Sequence, residues 1–304
     1  MSGPASDMIG AIDHVRLRVA DLDEAAERWA RQFGLTERAR EPGRVALSCD
    51  DEPKALELVP GEPGLEHVGY RLRRGWSLED AAARLRAHGV EYTEVDGELA
   101  FRDPEGHGVR LVPYRKQEWV QHARPADRQP VGHPRKLGHV NFLTADIQGQ
   151  VDFYTAVLGM RVTDWLGDDG VWLYVNSDHH VLAFINKGYA HLHHLAFEVI
   201  DIGQMRAALD HLGRHGRWVA WGPTRHGVGG NIASYVRITE EPLFVELYCD
   251  MEQLEPDHEA RRWPDNRFSS NTWGALPPRS YFRFDEKAIE SERESAELLV
   301  GVPA

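Results

Sequence analysis

From Val15 the chain alternates apolar and basic residues, Val15, Leu17 and Val19 against Arg16 and Arg18, the two-residue period of a strand with one buried face. Past Asp21 the period lengthens. Leu22, Ala25, Ala26, Trp29 and Phe33 follow the three- and four-residue spacing of an amphipathic helix, and Gly34 closes it. The same strand, aspartate and helix return later: KLGHVNFLTADIQGQVDFYTAVLGM from Lys136 lines up with AIDHVRLRVADLDEAAERWARQFGL from Ala11. A second pair, LEHVGYRLRRGWSLEDAAARLRAHGV from Leu65 and LHHLAFEVIDIGQMRAALDHLGRHG from Leu192, repeats the pattern. After the helices come short strand-like runs between turn signals, RVALSCD and KALELVP in the first half, VWLYVNS and HVLAFIN in the second. The unit is therefore βαβββ.

Four such units, starting near residues 11, 64, 136 and 191, predict an α+β fold of two domains with two modules each. The first domain is expected over residues 1–116 and the second over 136–252, with a polar, proline-containing linker over 117–135. Residues 253–304 lose the periodicity and predict an irregular tail, suited to a lid or an oligomer contact, that turns helical and acidic from Glu286. A length of 304 residues agrees with two units, because single cores seldom keep growing to that size. With 42% hydrophobic and 27% charged residues, the composition is that of a globular domain protein. The chain has no apolar run long enough to span a membrane and no secretory signal pattern, so a cytoplasmic location is expected. Cys49 and Cys249 fall in separate domains, which predicts reduced thiols and no cysteine-rich metal site. A formal charge of −13 without a basic run excludes nucleic acid as an expected partner.

The repeat also isolates candidate chemistry. His139 and His194 occupy matching places near the start of two strands, and the later strand PLFVELYCD carries Glu246. Two imidazoles and one carboxylate, with coordination positions left over, suit non-haem Fe(II) oxygen chemistry. In the run HLHH, His194 precedes LAFEV as His67 precedes VGYRL, so His194 is the candidate ligand and His193 an outward-facing neighbour. The first half carries His14 and His67 at the matching places but Arg110 where Glu246 stands, and a cation there repels a metal. The first domain is therefore expected to lack a metal. GVGGN at Gly227 follows no Rossmann-type strand, no nucleophile elbow occurs, and Glu240 with Glu241 reads as a solvated turn.

The segments GHVN at Gly138, HHVLAF at His179, HLHHLAFEV at His191, GPTRHGVGGNIASY at Gly222, VELYCD at Val245 and NTWGALPPRSY at Asn271 carry a family resemblance. The C-terminal half resembles the type I extradiol ring-cleavage dioxygenases of the vicinal oxygen chelate superfamily, in the branch of homoprotocatechuate 2,3-dioxygenase and catechol 2,3-dioxygenase. The resemblance implies two vicinal-oxygen-chelate domains, Fe(II) or alternatively Mn(II) held by His139, His194 and Glu246, and a homo-oligomer. It implies O2-dependent meta cleavage of a catechol to a muconic semialdehyde-type product. By the same resemblance His180 is the acid/base, with His179 as the alternative, and His226 and Tyr235 are the other catalytic residues. Asn141 and Trp172 would line the catechol pocket.

Two departures narrow the substrate. Where relatives that take homoprotocatechuate use arginines, this chain has Trp221 and Ser270, so an uncharged, apolar catechol with Trp221 against its substituent is expected. Arg225, Arg279 or Arg283 supplying the charge from another direction is the alternative. The stretch RITEEP after Tyr235 is one residue longer than in most relatives, which leaves that hairpin open. The other readings of function are cleavage of a hydroquinone or aminophenol on the same site, and a metal-free, antibiotic-sequestering binder.

Overall fold

Short polar side chains start the helices. In the computed structural model, which describes residues 8–49, 52–116, 133–255 and 257–300, Asp21 accepts the backbone N–H groups of Asp23 and Glu24 ahead of α1 (Leu22–Phe33). Ser77 and Asp80 form a reciprocal capping box on α2 (Leu78–Ala87), and Asp146 and Asp201 cap α3 (Ile147–Ala156) and α4 (Ile202–Arg214). Each cap satisfies an N–H that the helix cannot, worth about 1 kcal/mol. The aspartate of the repeat is therefore the signal that ends a strand's run and starts a helix.

The modules follow in order. The first is β1 (Ile9–Val19), α1, β2 (Thr36–Glu41), β3 (Arg44–Ser48) and β4 (Leu56–Pro60). The second is β5 (Gly64–Leu72), α2, β6 (Thr93–Val95), β7 (Glu98–Arg102) and β8 (Gly108–Val112). The third is β9 (Lys136–Thr144), α3, β10 (Arg161–Leu166), β11 (Gly170–Tyr174) and β12 (Leu182–Asn186). The fourth is β13 (His191–Glu198), α4, β14 (Val219–Arg225), β15 (Ile232–Ile238) and β16 (Leu243–Cys249). The linker expected over 117–135 falls largely on residues 117–132, which lie outside the described residues.

In every module the last strand returns parallel to the first, and the first strands of a pair join antiparallel. This gives one sheet in the order β2-β3-β4-β1-β5-β8-β7-β6 and a second in the order β14-β15-β16-β13-β9-β12-β11-β10, extended by one further strand. The extra strand corrects the expectation of an irregular tail. β17 (Arg261–Trp263) pairs parallel with β10, and the tail also forms α5 (Arg267–Ser270) and α6 (Glu286–Val300). Its edge place is set by matched neighbours, Asp164 beside Arg261 and Leu166 beside Trp263.

One register recurs four times and positions the site. The residue two places after each module's histidine pairs with one residue of the returning strand: Arg16 with Glu57, Gly69 with Arg110, Asn141 with Ala183 and Ala196 with Glu246. The RITEEP hairpin is regular, with Ile238 opposite Leu243. Its carboxylates are not solvated as a pair. Glu241 is 1% exposed and takes a bidentate contact from Arg28 of α1, 3.0 and 2.6 Å, while Glu240 pairs with Arg217. That buried link ties the first domain's helix to the second domain's hairpin.

Candidate metal centre and cavity

β9, β13 and β16 lie side by side, so side chains two positions out of phase on neighbouring strands converge. His139 Nε2 and His194 Nε2 both point at Glu246 Oε2, at 3.2 and 3.1 Å. All three residues are buried. Ligand atoms about 2.1 Å from a metal and at right angles lie about 3.0 Å apart, close to the two distances from Glu246 Oε2, and all three ligand atoms lie within 4.8 Å of one another. The donor set and its spacing fit a divalent metal, with the opposite face left for exogenous ligands.

The surrounding hydrogen bonds set the ligand atoms. The Tyr281 carbonyl accepts from His193 Nε2 (2.8 Å), so His193 Nδ1 is bare and accepts from His194 Nδ1–H (2.8 Å). His194 Nε2 is then free of its proton and available as a ligand. His193 is therefore not outward-facing; it is 1% exposed and orients its neighbour. Glu246 Oε1 accepts from Asn231 Nδ2 (3.0 Å). Burial alone would raise the Glu246 carboxyl, but the imidazoles of His139 and His194 outweigh it and hold the group well below the usual range. Gly138 is required here: a Cβ at that position would come within 1.8 Å of Tyr248 Oη, whose ring packs 5.1 Å from His139.

The triangle faces a cavity of about 280 Å³. His180 lines it with its ring 4.2 Å from His139, and burial, followed by His139 and His179, holds its imidazole well below the usual pKa, hence neutral. His226 donates from Nδ1 to the Ser270 carbonyl (3.0 Å), so its Nε2 accepts the Tyr235 hydroxyl (2.8 Å). Burial, then the Glu246 charge, pushes the Tyr235 hydroxyl well above its usual pKa and keeps it a proton donor. Asn141, Trp172 and Trp221 also line the cavity. Trp221 stacks on Tyr235 at 5.1 Å and 11° and donates Nε1–H to the Ala275 carbonyl. All nine residues singled out from sequence thus meet in one place.

Other contributors are not assigned these places from sequence, although Tyr281 ends the segment NTWGALPPRSY and His179 is the alternative acid/base. Tyr281 and Phe282 of the tail close one wall. Lys187 is the cationic side chain on the lining, which also includes Asp169 and Asp265; Arg225, Arg279 and Arg283 do not line it. His179 is fully buried behind His180, contacting it Nδ1 to Nδ1 at 3.0 Å.

The first domain holds a related cluster that the comparison of Arg110 with Glu246 overlooks. His14 Nε2 lies 3.0 Å from His67 Nε2 and 3.6 Å from Glu57 Oε2, the carboxylate now coming from the first module's returning strand. Its signal was a lone acid in the apolar run KALELVP. Glu57, unlike Glu246, is already neutralised: Arg16 contacts Oε2 at 2.9 and 2.8 Å and Lys54 stands 3.7 Å away. Glu246 pairs with no Lys or Arg among the described residues.

Paired βαβββ domains around a two-histidine, one-glutamate triangle define the class. The sequence pattern of the Glyoxalase/Bleomycin resistance protein/Dioxygenase superfamily matches residues 11–111 and 136–240, more than half of the chain, and the protein belongs to that superfamily. It is 28% identical to Metapyrocatechase 2 of Cupriavidus necator, covering 91% of this chain and 93% of that one. It is 26% identical to an iron-dependent extradiol dioxygenase of Rhodococcus jostii, with 82% and 92% covered. A manganese-dependent 2,3-dihydroxybiphenyl 1,2-dioxygenase of Geobacillus genomosp. 3 is 23% identical, with 85% and 91% covered. Among solved structures, a variant of homoprotocatechuate 2,3-dioxygenase from Brevibacterium fuscum superposes with a TM-score of 0.79 at 22% identity, covering 91% of this chain and 82% of that one. That likeness shows the shared fold.

Proposed function

We propose that the protein is an extradiol dioxygenase that opens a catechol ring with O2, using a divalent metal held by His139, His194 and Glu246. The observation that carries this reading is the open-faced triangle of ligand atoms at the bottom of an aromatic-walled cavity, with a neutral histidine beside it. The named relatives support it, since metapyrocatechase and extradiol dioxygenases share most of the chain's length with it. The metal is proposed to be Fe(II), with Mn(II) as the alternative, because a two-histidine, one-carboxylate set accepts both. When bound, it would hold both substrate oxygens and O2 in contact and supply the redox chemistry.

The chain's own residues do the rest. His180 accepts the proton of a catechol hydroxyl at its cavity-facing nitrogen and returns it as the ring opens. Tyr235, whose one O–H proton goes to His226 Nε2 in the structure, turns that proton to a substrate oxygen on binding, and His226 holds the tyrosine and, when protonated, stabilises charge developing beside it. Trp172, Trp221 and Asn141 shape the walls that bind the ring. The first domain is proposed to carry no metal, since Arg16 and Lys54 occupy the carboxylate a metal would need. A homo-oligomeric, cytoplasmic enzyme completes the proposal; no helix among the described residues is long and apolar enough to cross a membrane.

The test is anaerobic purification, metal analysis, and a screen of catechols with Fe(II) added, read as a yellow ring-opened product on admitting air. About one metal per chain and a yellow product are expected. No metal and no product would favour the metal-free binder.

A further inference from the structure

Behind the cavity-lining His180 lies a chain of buried polar groups that are not on the cavity wall. His180 Nδ1 is 3.0 Å from His179 Nδ1, and His179 Nε2 is 3.0 Å from Asp164 Oδ2. His179 and Asp164 are fully buried and His180 is 4% exposed. Asp164 is gripped from the other side by the tail strand. Arg261 donates Nε–H to Oδ1 and Nη2–H to Oδ2, both at 2.8 Å, and Trp263 donates Nε1–H to Oδ2 at 2.8 Å. Arg261 is shared with Glu252, at 2.8 and 2.7 Å, so the cation does not overcompensate the aspartate.

With His179 neutral, proton counting along this chain has one solution. Burial would raise the Asp164 carboxyl, but His179, Arg261 and Trp263 bring it down to about 2, so it is an ionised, acceptor-only group at neutral pH. His179 Nε2 must therefore carry the proton and donate. A neutral imidazole with its proton on Nε2 has a bare Nδ1, which can only accept. The single proton between the two Nδ1 atoms then belongs to His180. His180 Nε2 is left with its lone pair and faces the cavity.

Resting on the ring-cleavage reading above, we infer that Asp164 and His179 are positioning residues that fix His180 in the tautomer able to act as a base, and that β17 exists to complete this chain. A histidine without a fixed partner can place its proton on either nitrogen, and in the wrong tautomer the cavity-facing atom is a donor that cannot take the substrate's proton. The parallel pair His193–His194 is anchored on a neutral carbonyl instead, which suits a ligand that never takes up a proton. The histidine assigned to proton transfer is the one backed by a charge.

Asp164→Leu tests the assignment by removing the acceptor at similar size. Without it His179 Nε2–H has no partner, the proton moves to Nδ1, where it can donate to His180 Nδ1, and His180 is reversed. On the full chain loaded with diamagnetic Zn(II), ¹⁵N shifts of labelled histidines should report an Nδ1–H tautomer at His180 in the wild type and an Nε2–H tautomer in the variant. With Fe(II), kcat for catechol should fall about a hundredfold, with KM and metal content within about threefold of wild type. His179→Phe, which leaves Asp164 with Arg261, should lose kcat to a similar degree and serves if Asp164→Leu fails to fold. Unchanged tautomers in Asp164→Leu, or kcat within about twofold of wild type in either folded variant, would overturn the inference. Expected tautomers with no ring cleavage by the wild type would instead overturn the functional reading and leave the hydrogen-bond chain standing.

Discussion

His179 and His193 each precede a histidine that faces the cavity, and both act through it by accepting its Nδ1 proton. The difference between neighbours in a run of histidines is therefore one of layer, and substitution should separate the layers. Glu246→Ala or His194→Ala should abolish metal retention, since each removes one of three ligand atoms. Arg110→Ala and His67→Ala should leave it unchanged, and His180→Asn should keep the metal while losing most turnover. Metal analysis after gel filtration, paired with a ring-cleavage assay, checks all five; metal retained by both second-domain ligand variants would refute the site. Asp164 also has a pH signature. Its carboxyl is lowered from 3.8 to about 2 in the fold, so its contribution is complete above about pH 4 and is lost as pH falls toward about 2. The unfolding free energy of wild type minus that of Asp164→Asn should therefore shrink by about 2 kcal/mol between about pH 5 and about pH 2, measured by urea titration.

The tail works as three separate elements. β17 grips Asp164, the turn at Tyr281 and Phe282 walls the cavity, and α6 fastens that turn from outside. The fastening is a single cation: Arg237 of β15 is fully buried, donates to the carbonyls of Ser280 and Arg283 at 3.1 Å each, and meets Glu292 of α6 at 3.0 and 2.8 Å. Glu292 also takes the Trp218 indole N–H at 2.8 Å. Removing one partner of a buried pair leaves a charge without compensation, so Glu292→Ala should cost about 3 kcal/mol of stability. Because the freed turn carries Tyr281 and Phe282, KM for catechol should rise several-fold while metal content holds. Denaturant unfolding and steady-state kinetics on the same preparation check both. An unchanged KM would mean the turn keeps its place without α6.

At the scale of the whole molecule, the cavity's charge decides which catechols it takes. Its walls carry Trp172, Trp221, Tyr235, Tyr281 and Phe282, Trp221 and Ser270 stand at the two positions read from sequence as lacking an arginine, and one cation, Lys187, shares the lining with Asp169, Asp265 and Glu246. Lys187 also lies over the Phe282 ring at 4.5 Å. A buried carboxylate without a close cation costs several kcal/mol, so kcat/KM for homoprotocatechuate should be at least about tenfold below that for catechol or an alkyl catechol. Competition between these substrates measures it, and a preference for the carboxylate would place Lys187 as its partner. The same molecule-wide view explains the asymmetry of the two domains. They share one register, yet the carboxylate beside the histidine pair is neutralised by Arg16 in the first and meets no Lys or Arg among the described residues in the second.

The chain by itself determined the four modules, the two domains and the meeting of His139, His194 and Glu246. Those features follow from local periods and from a repeat, and a repeat transfers strand position from one module to the next without knowledge of contacts. Only the tertiary structure decided what stands behind the first layer. His179 with Asp164, Arg237 with Glu292, and Arg28 with Glu241 are pairs that no local pattern joins; from sequence His179 reads as the alternative acid/base and Glu241 as a solvated turn residue, and the others draw no reading. The same holds for Glu57, whose role appears only when β4 is seen to return beside β1. Periodicity says which face a residue takes, but the partner it meets depends on sheet order and register, and these are set by the packing of the whole chain.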